Sequence, residues 1–184
     1  MTLQEMLASA PGASAALGAP NRPWMQFGEL RKLSQTIGAQ LAGFGLGRGD
    51  RVAIVLPNGP EMASAFVTIA QWCVTAPLNP AYKRDEYAFY MDDLKAKALV
   101  VMADEDGPAV QAADELGIKI LRLHSSDASP AGVFSLRGSA LASATAAPEA
   151  VPAQSDDIAL ILHTSGTTSR PKIVPLLQSN VAAS

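Results

Sequence analysis

This 184-residue chain has only a single cysteine and two histidines. Cys73 has no second cysteine to bridge to, so an internal disulfide framework is excluded, which suits a reducing compartment and a cytoplasmic protein. Its apolar neighbours make it a buried small hydrophobe, not a reactive thiol. No other cysteine can pair with His124 and His163 at metal-ligand spacing, so a zinc site is not expected. Charge is scarce as well, at 17% of residues with a net value of −3. No basic cluster exceeds Lys83–Arg84 or Arg31–Lys32, so nucleic acid is not expected as a partner. Long apolar runs are also missing. The most apolar stretch, Ala63 to Leu78, is broken by Thr68, Gln71 and Thr75, and it falls short of the ~20 residues a membrane-spanning helix needs. The first residues lack the basic region and apolar run of a secretory signal.

What is present is enough apolar sequence, 48% of residues, to build a sizeable core. Leu30, Leu33, Ile37, Leu41 and Phe44 recur at steps of three and four and predict one face of a helix. Glycines at 43, 45, 47 and 49 end it. Arg51–Leu56 is a short apolar run closed by Pro57-Asn58-Gly59-Pro60, which predicts a buried strand and a sharp turn. A helix opening at Pro60–Glu61 follows, with Met62, Phe66, Ile69 and Cys73 along one face, and runs into an extended piece between Pro77 and Pro80. Arg84–Leu94 reads as a helix, Ala98–Met102 as a strand, Pro108–Leu116 as a helix and Ile118–Leu123 as a strand.

This alternation argues for an α/β fold: a mostly parallel sheet with helices on both faces. Residues 1–123 form its first layer. Residues 124–154, rich in Ala, Ser and Pro, read as a surface connection whose only strand-like run is Val133–Leu136. Residues 155–184 read as a strand, a loop and the start of a helix from Pro175.

The loop is the densest chemistry in the chain. Thr164, Ser165, Thr167, Thr168 and Ser169 supply five hydroxyls, Gly166 lets the backbone approach a ligand, and Lys172 adds a compact positive charge. Successive N–H groups in such a turn can cradle an anion. A loop at the carboxyl end of a strand is where α/β sheets bind ligands. A Walker A loop needs glycine directly before its lysine and Ser or Thr after it. Pro171 and Ile173 occupy those places, which disfavours a P-loop kinase or GTPase. An atypical phosphate-loop kinase or hydrolase, or a non-catalytic binding or assembly module, remain as alternatives.

Thr164-Ser165-Gly166-Thr167-Thr168-Ser169-Arg170-Pro171-Lys172 resembles the signature loop of the adenylate-forming (AMP-binding) superfamily, which includes acyl-CoA synthetases. Phe27-Gly28-Glu29-Leu30, Gly49–Ile54, Leu56–Glu61, Pro77–Pro80 and Lys97–Val100 fall in the family's order. The Ser169–Arg170 variant behind His163 is most similar to the oxalate–CoA ligase branch. Three positions depart from the usual pattern: Ser169 and Ile173 replace glycines, and Gln178 stands where a histidine is common.

The resemblance implies the first part of the large N-terminal domain of an acid–CoA ligase. Such an enzyme uses ATP and Mg²⁺ to make an acyl-adenylate from a small carboxylate, oxalate among the candidates, and passes the acyl group to coenzyme A. It assigns ATP phosphate binding to Thr164, Ser165, Gly166, Thr167, Thr168, Ser169 and Lys172, with His163 as a candidate pocket residue. It places no catalytic residue and no metal ligand within these 184 positions, so the chain alone is expected to be inactive. Its unfinished sheet is expected to self-associate.

Overall fold

The computed structural model describes residues 1–138, 149–164 and 171–184. Helix α1 (Leu3–Ser9) opens the chain. Thr2 caps it: the Glu5 amide donates to the Thr2 hydroxyl, and the Thr2 amide donates to the Glu5 carboxylate. Strands β1 (Ala15–Leu17) and β2 (Met25–Gln26) then form a small antiparallel ribbon. Helix α2 (Phe27–Gly43) follows directly, its first turn held by the Gln26 amide donating to Glu29 at 2.8 Å.

The remainder alternates. Strand β3 (Arg51–Val55), helix α3 (Pro60–Ile69), strand β4 (Val74–Pro77), helix α4 (Arg84–Leu94), strand β5 (Ala98–Met102), helix α5 (Pro108–Glu115) and strand β6 (Lys119–Ser125) come in turn. Strand β7 (Phe134–Arg137) doubles back on β6. Strands β8 (Ile158–Thr164) and β9 (Lys172–Leu177) and helix α6 (Gln178–Ala182) close the chain. The seven-stranded sheet has the order β7-β6-β5-β3-β4-β8-β9. Its five inner strands are parallel, and the two outer ones run antiparallel to their neighbours.

Period-two alternation splits the sheet residues between two cores. Val52, Ile54, Val100, Leu121 and Leu123 pack under α2 and α3. Ala53, Val55, Leu99, Val101 and Ile161 pack under α4 and α5. A third cluster joins α1 to α6 through Leu3, Ala70, Ala159 and Val181.

Three local expectations change. On α3 the buried face is Ser64, Ala65, Thr68 and Ile69, with Met62 and Phe66 only half-buried. The Ser64 hydroxyl donates to the carbonyl of Gly132, in the segment before β7, at 2.7 Å. The helix ends at Ile69, so Cys73 belongs to the turn before β4, where burial pushes its thiol up to about 12. The extended piece expected between Pro77 and Pro80 begins earlier, at Val74. The start of a helix expected from Pro175 is instead strand β9, and α6 begins only at Gln178. Ile173, Val174, Leu176 and Leu177 suit a pleated surface, and proline is tolerated on an edge strand whose free side needs no donor.

Between the layers, Arg48 donates to both carboxylate oxygens of Asp157, at 2.5 and 3.0 Å. That contact, with a hydrogen bond from the Gln154 amide, holds the Asp157 carboxyl below its ordinary value of 3.8. A depressed folded value means that this stabilisation is present above the unfolded value and is lost as pH falls through the folded one. Acid unfolding of the wild-type chain should therefore steepen below the ordinary aspartate value. Asp157→Asn should unfold more easily at neutral pH and lose that part of the acid dependence, read from denaturation midpoints across pH.

Candidate phosphate-loop site

The loop expected to bind phosphate is framed by a hairpin. Thr164, the last residue of β8, pairs across the ladder with Lys172, the first of β9. A strand–loop–strand hairpin followed by a helix thus replaces the expected strand–loop–helix order. Ser165, Gly166, Thr167, Thr168 and Ser169 lie outside the described residues. Thr164 and Lys172 are both exposed. Because β8 runs parallel to β4, the hairpin tip sits at the carboxyl end of the parallel strands.

The register fixes which side chains share a face. Leu160 pairs with Leu176 and Leu162 with Val174, so these four lie on one side of the ribbon. By alternation Thr164 and Lys172 lie on that side too. It is only partly covered, with Leu162 37% exposed. The opposite side carries Ile161 and His163 and faces α4.

His163 is packed there, its side chain only 5% exposed. Its Nε2 lies 3.2 Å from an Asp93 carboxylate oxygen, and its ring meets Tyr90 edge-on with centroids 4.6 Å apart. Tyr90 in turn stacks on Tyr82 at 4.9 Å. Sequence reading missed Asp93, which lies 70 positions from His163 and reads as an ordinary solvated helix residue. His124 is a half-buried residue of β6 beside the edge strand.

Gln178 is fully buried, and its polar groups are satisfied. Its Nε2 donates to the Ala70 carbonyl at 2.5 Å and its Oε1 accepts from the Leu3 amide at 3.2 Å. A neutral amide can donate and accept at once, which both contacts require.

The helices after β3 and β5, adjacent strands, leave toward opposite faces of the sheet, and a cleft of about 230 Å³ lies outside their carboxyl ends. Its lining includes Pro57, Tyr87, Asp104 and Glu105. The Tyr87 hydroxyl donates to the Asn79 carbonyl, and Glu105 accepts from the Gly107 amide. Among the described residues no group of three or more His, Cys, Asp or Glu side chains is placed to hold a metal ion. No helix there is long and apolar enough to cross a membrane.

Known proteins share this arrangement. The chain is 41% identical over 141 residues to oxalate–CoA ligase of Arabidopsis thaliana, covering 76% of this chain and 27% of that protein. It is 37% identical over 158 residues to oxalate–CoA ligase of Saccharomyces cerevisiae, covering 74% and 29%. It therefore spans under a third of the length of these curated relatives. Among solved structures, apo MatB from Rhodopseudomonas palustris superposes with a TM-score of 0.76 at 24% identity, over 100% of this chain and 36% of that one. A long-chain-fatty-acid–CoA ligase, FadD1, from Archaeoglobus fulgidus gives 0.75 at 23%, over 100% and 38%; both likenesses speak to fold alone. The family model for AMP-binding enzymes matches residues 3–184, essentially the whole chain, and the chain belongs to that family.

Proposed function

We propose that this chain supplies the ATP phosphate-binding loop of an AMP-forming acid–CoA ligase, as part of its N-terminal AMP-binding domain. The observation that carries this reading is the hairpin stem. It pairs Thr164 with Lys172 across the ladder at the carboxyl end of the parallel sheet, on either end of a hydroxyl-rich loop, in a chain of the AMP-binding family. Thr164, Ser165, Gly166, Thr167, Thr168, Ser169 and Lys172 then hold the β- and γ-phosphates, where charge gathers on the leaving pyrophosphate. A substrate carboxylate oxygen attacks the α-phosphorus, forming acyl-adenylate and releasing pyrophosphate. The coenzyme A thiolate then displaces AMP to give the thioester.

Mg²⁺ would arrive with the nucleotide phosphates and neutralise their charge. Its protein ligands, the adenine and coenzyme A sites and the adenylation catalyst lie outside the residues assigned here. The likeness to two oxalate–CoA ligases favours oxalate as the acid, and the lone buried cysteine favours a cytoplasmic setting. Neither an atypical kinase nor a non-catalytic module accounts for the family match.

ATP–pyrophosphate exchange by the longer protein that carries this chain, with a panel of small acids, tests the reading. Oxalate should drive the fastest exchange. Exchange independent of any acid, or release of inorganic phosphate in place of pyrophosphate, would refute it.

The 184-residue chain by itself should make no acyl-adenylate. It should also self-associate, because β7 and β9 each leave one edge unpaired among the described residues and the Leu160–Leu176 side of the hairpin is open. A monomer in sedimentation velocity at tens of micromolar would overturn that expectation.

A further inference from the structure

We infer that His163 is a positioning residue for the nucleotide: with Asp93 and Tyr90 it latches the end of β8 onto α4 and so sets the direction in which the phosphate-loop stem presents Thr164 and Lys172. The inference rests on the phosphate-binding reading above.

The argument begins with the pleat. Neighbouring side chains on a strand point to opposite faces, so fixing one side chain fixes the next. His163 immediately precedes Thr164. Its ring is nearly buried, held by the Asp93 carboxylate at 3.2 Å and by the edge-on contact with Tyr90. Turned that way, it commits Thr164 to the other side of the ribbon, together with the cross-strand partner Lys172. Without the latch, the last residues of β8 have only β9 to orient them. The ladder leaves them free to twist about the strand axis, because β8 meets β4 further back, at Leu160.

The platform is firm. Tyr87, Met91 and Leu94 anchor α4 in the core with at most 1% exposure, and Arg84 bridges α4 to Glu115 of α5. Tyr82 stacks behind Tyr90 and holds that ring in place. Neither an aliphatic side chain nor a smaller polar one at position 163 would meet both the carboxylate and the ring. Histidine supplies a flat face and a ring nitrogen together.

The test is steady-state ATP–pyrophosphate exchange by the longer protein, with His163→Ala, His163→Gln, Asp93→Ala and Lys172→Ala compared with wild type. A stem that points wrongly weakens the hold on ATP in the ground state as much as in the transition state. His163→Ala and Asp93→Ala should therefore each raise KM for ATP about tenfold and change kcat by less than about twofold. His163→Gln, which keeps a donor within reach of Asp93 but loses the ring contact with Tyr90, should recover part of the loss. Asp93 is 40% exposed, so its variant carries the test if His163→Ala does not fold.

Exchange impaired in Lys172→Ala but unaltered in both latch variants would overturn this inference alone. So would a fall in kcat with KM unchanged. No effect of Lys172→Ala would overturn the phosphate-site reading itself.

Discussion

Trp72→Ala is expected to remove about 3–5 kcal/mol of stability, the range for deleting a large buried aromatic. The side chain is 7% exposed and bridges the start of β4 to α2. Its indole N–H donates to the Ser34 carbonyl at 3.0 Å and to the Ser34 hydroxyl at 3.2 Å. Alanine would leave a cavity between α2 and α3 and strand the Ser34 groups. For a domain stable by ~5–15 kcal/mol that is a large fraction of the total.

Gly38 shows how close the fit is. A Cβ there would lie 2.5 Å from the indole ring, so α2 can pass Trp72 only with glycine at that point. Gly38→Ala gains up to ~1 kcal/mol in helix preference but meets an overpacking cost of about 1–3 kcal/mol, so the net effect is destabilising. Combining Gly38→Ala with Trp72→Phe should lose less than the sum of the two single changes, since the smaller ring makes room. Urea midpoints at constant m-value provide the measurement. A Trp72→Ala midpoint equal to wild type would show that the α2–α3 seam does not depend on the indole.

Lys172→Ala should reduce kcat/KM for ATP by about a hundredfold in the longer protein, the scale seen when one preorganised partner of a developing negative charge is lost. The lysine stands at the first position of β9, opposite Thr164, where the ladder fixes its backbone while its stem stays free to follow the phosphates. Lys172→Met keeps the length and apolar bulk and removes only the charge, so it should behave like alanine. Lys172→Arg should recover only part of the activity, because a planar fork replaces a compact ammonium. Steady-state kinetics with ATP varied at saturating acid distinguishes these cases. Equal kcat/KM in wild type and Lys172→Met would remove the ammonium from phosphate binding.

Much of this architecture is legible in the sequence. The Leu30–Phe44 spacing, the apolar runs of β3 and β5 and the Pro60 and Pro108 openings each carry a local physical signal, and the structure follows them closely. Helix α1 was not read: Thr2 and Glu5 have the spacing of a capping box, but seven residues are too few to show a helical period.

What could not be read depends on partners far along the chain. Strand β9 looked like the approach to a helix because Pro175 breaks its pattern, and only pairing with β8 makes it a strand. The burial of Ser64 and Thr68 follows from what α3 packs against, not from their polarity. At the candidate site, the hydroxyls and the lysine announced phosphate chemistry. The Asp93–His163 contact did not, because nothing local links a helix carboxylate to a strand histidine 70 positions away.

Gln178 also sets the order in which the molecule can be completed. Its amide joins α6 to the Leu3 amide across 175 positions, and the same cluster packs Leu3 beside Val181. During synthesis α1 emerges well before α6 and must wait for this partner. At ~5–20 residues per second that interval is on the order of ten to thirty seconds. Throughout it, Leu3 and Leu7 belong to a short amphipathic helix whose α6 partner does not yet exist. The Leu3 contact is thus among the last in this chain to settle, and α1 stays open to chaperones or proteases until Gln178 arrives.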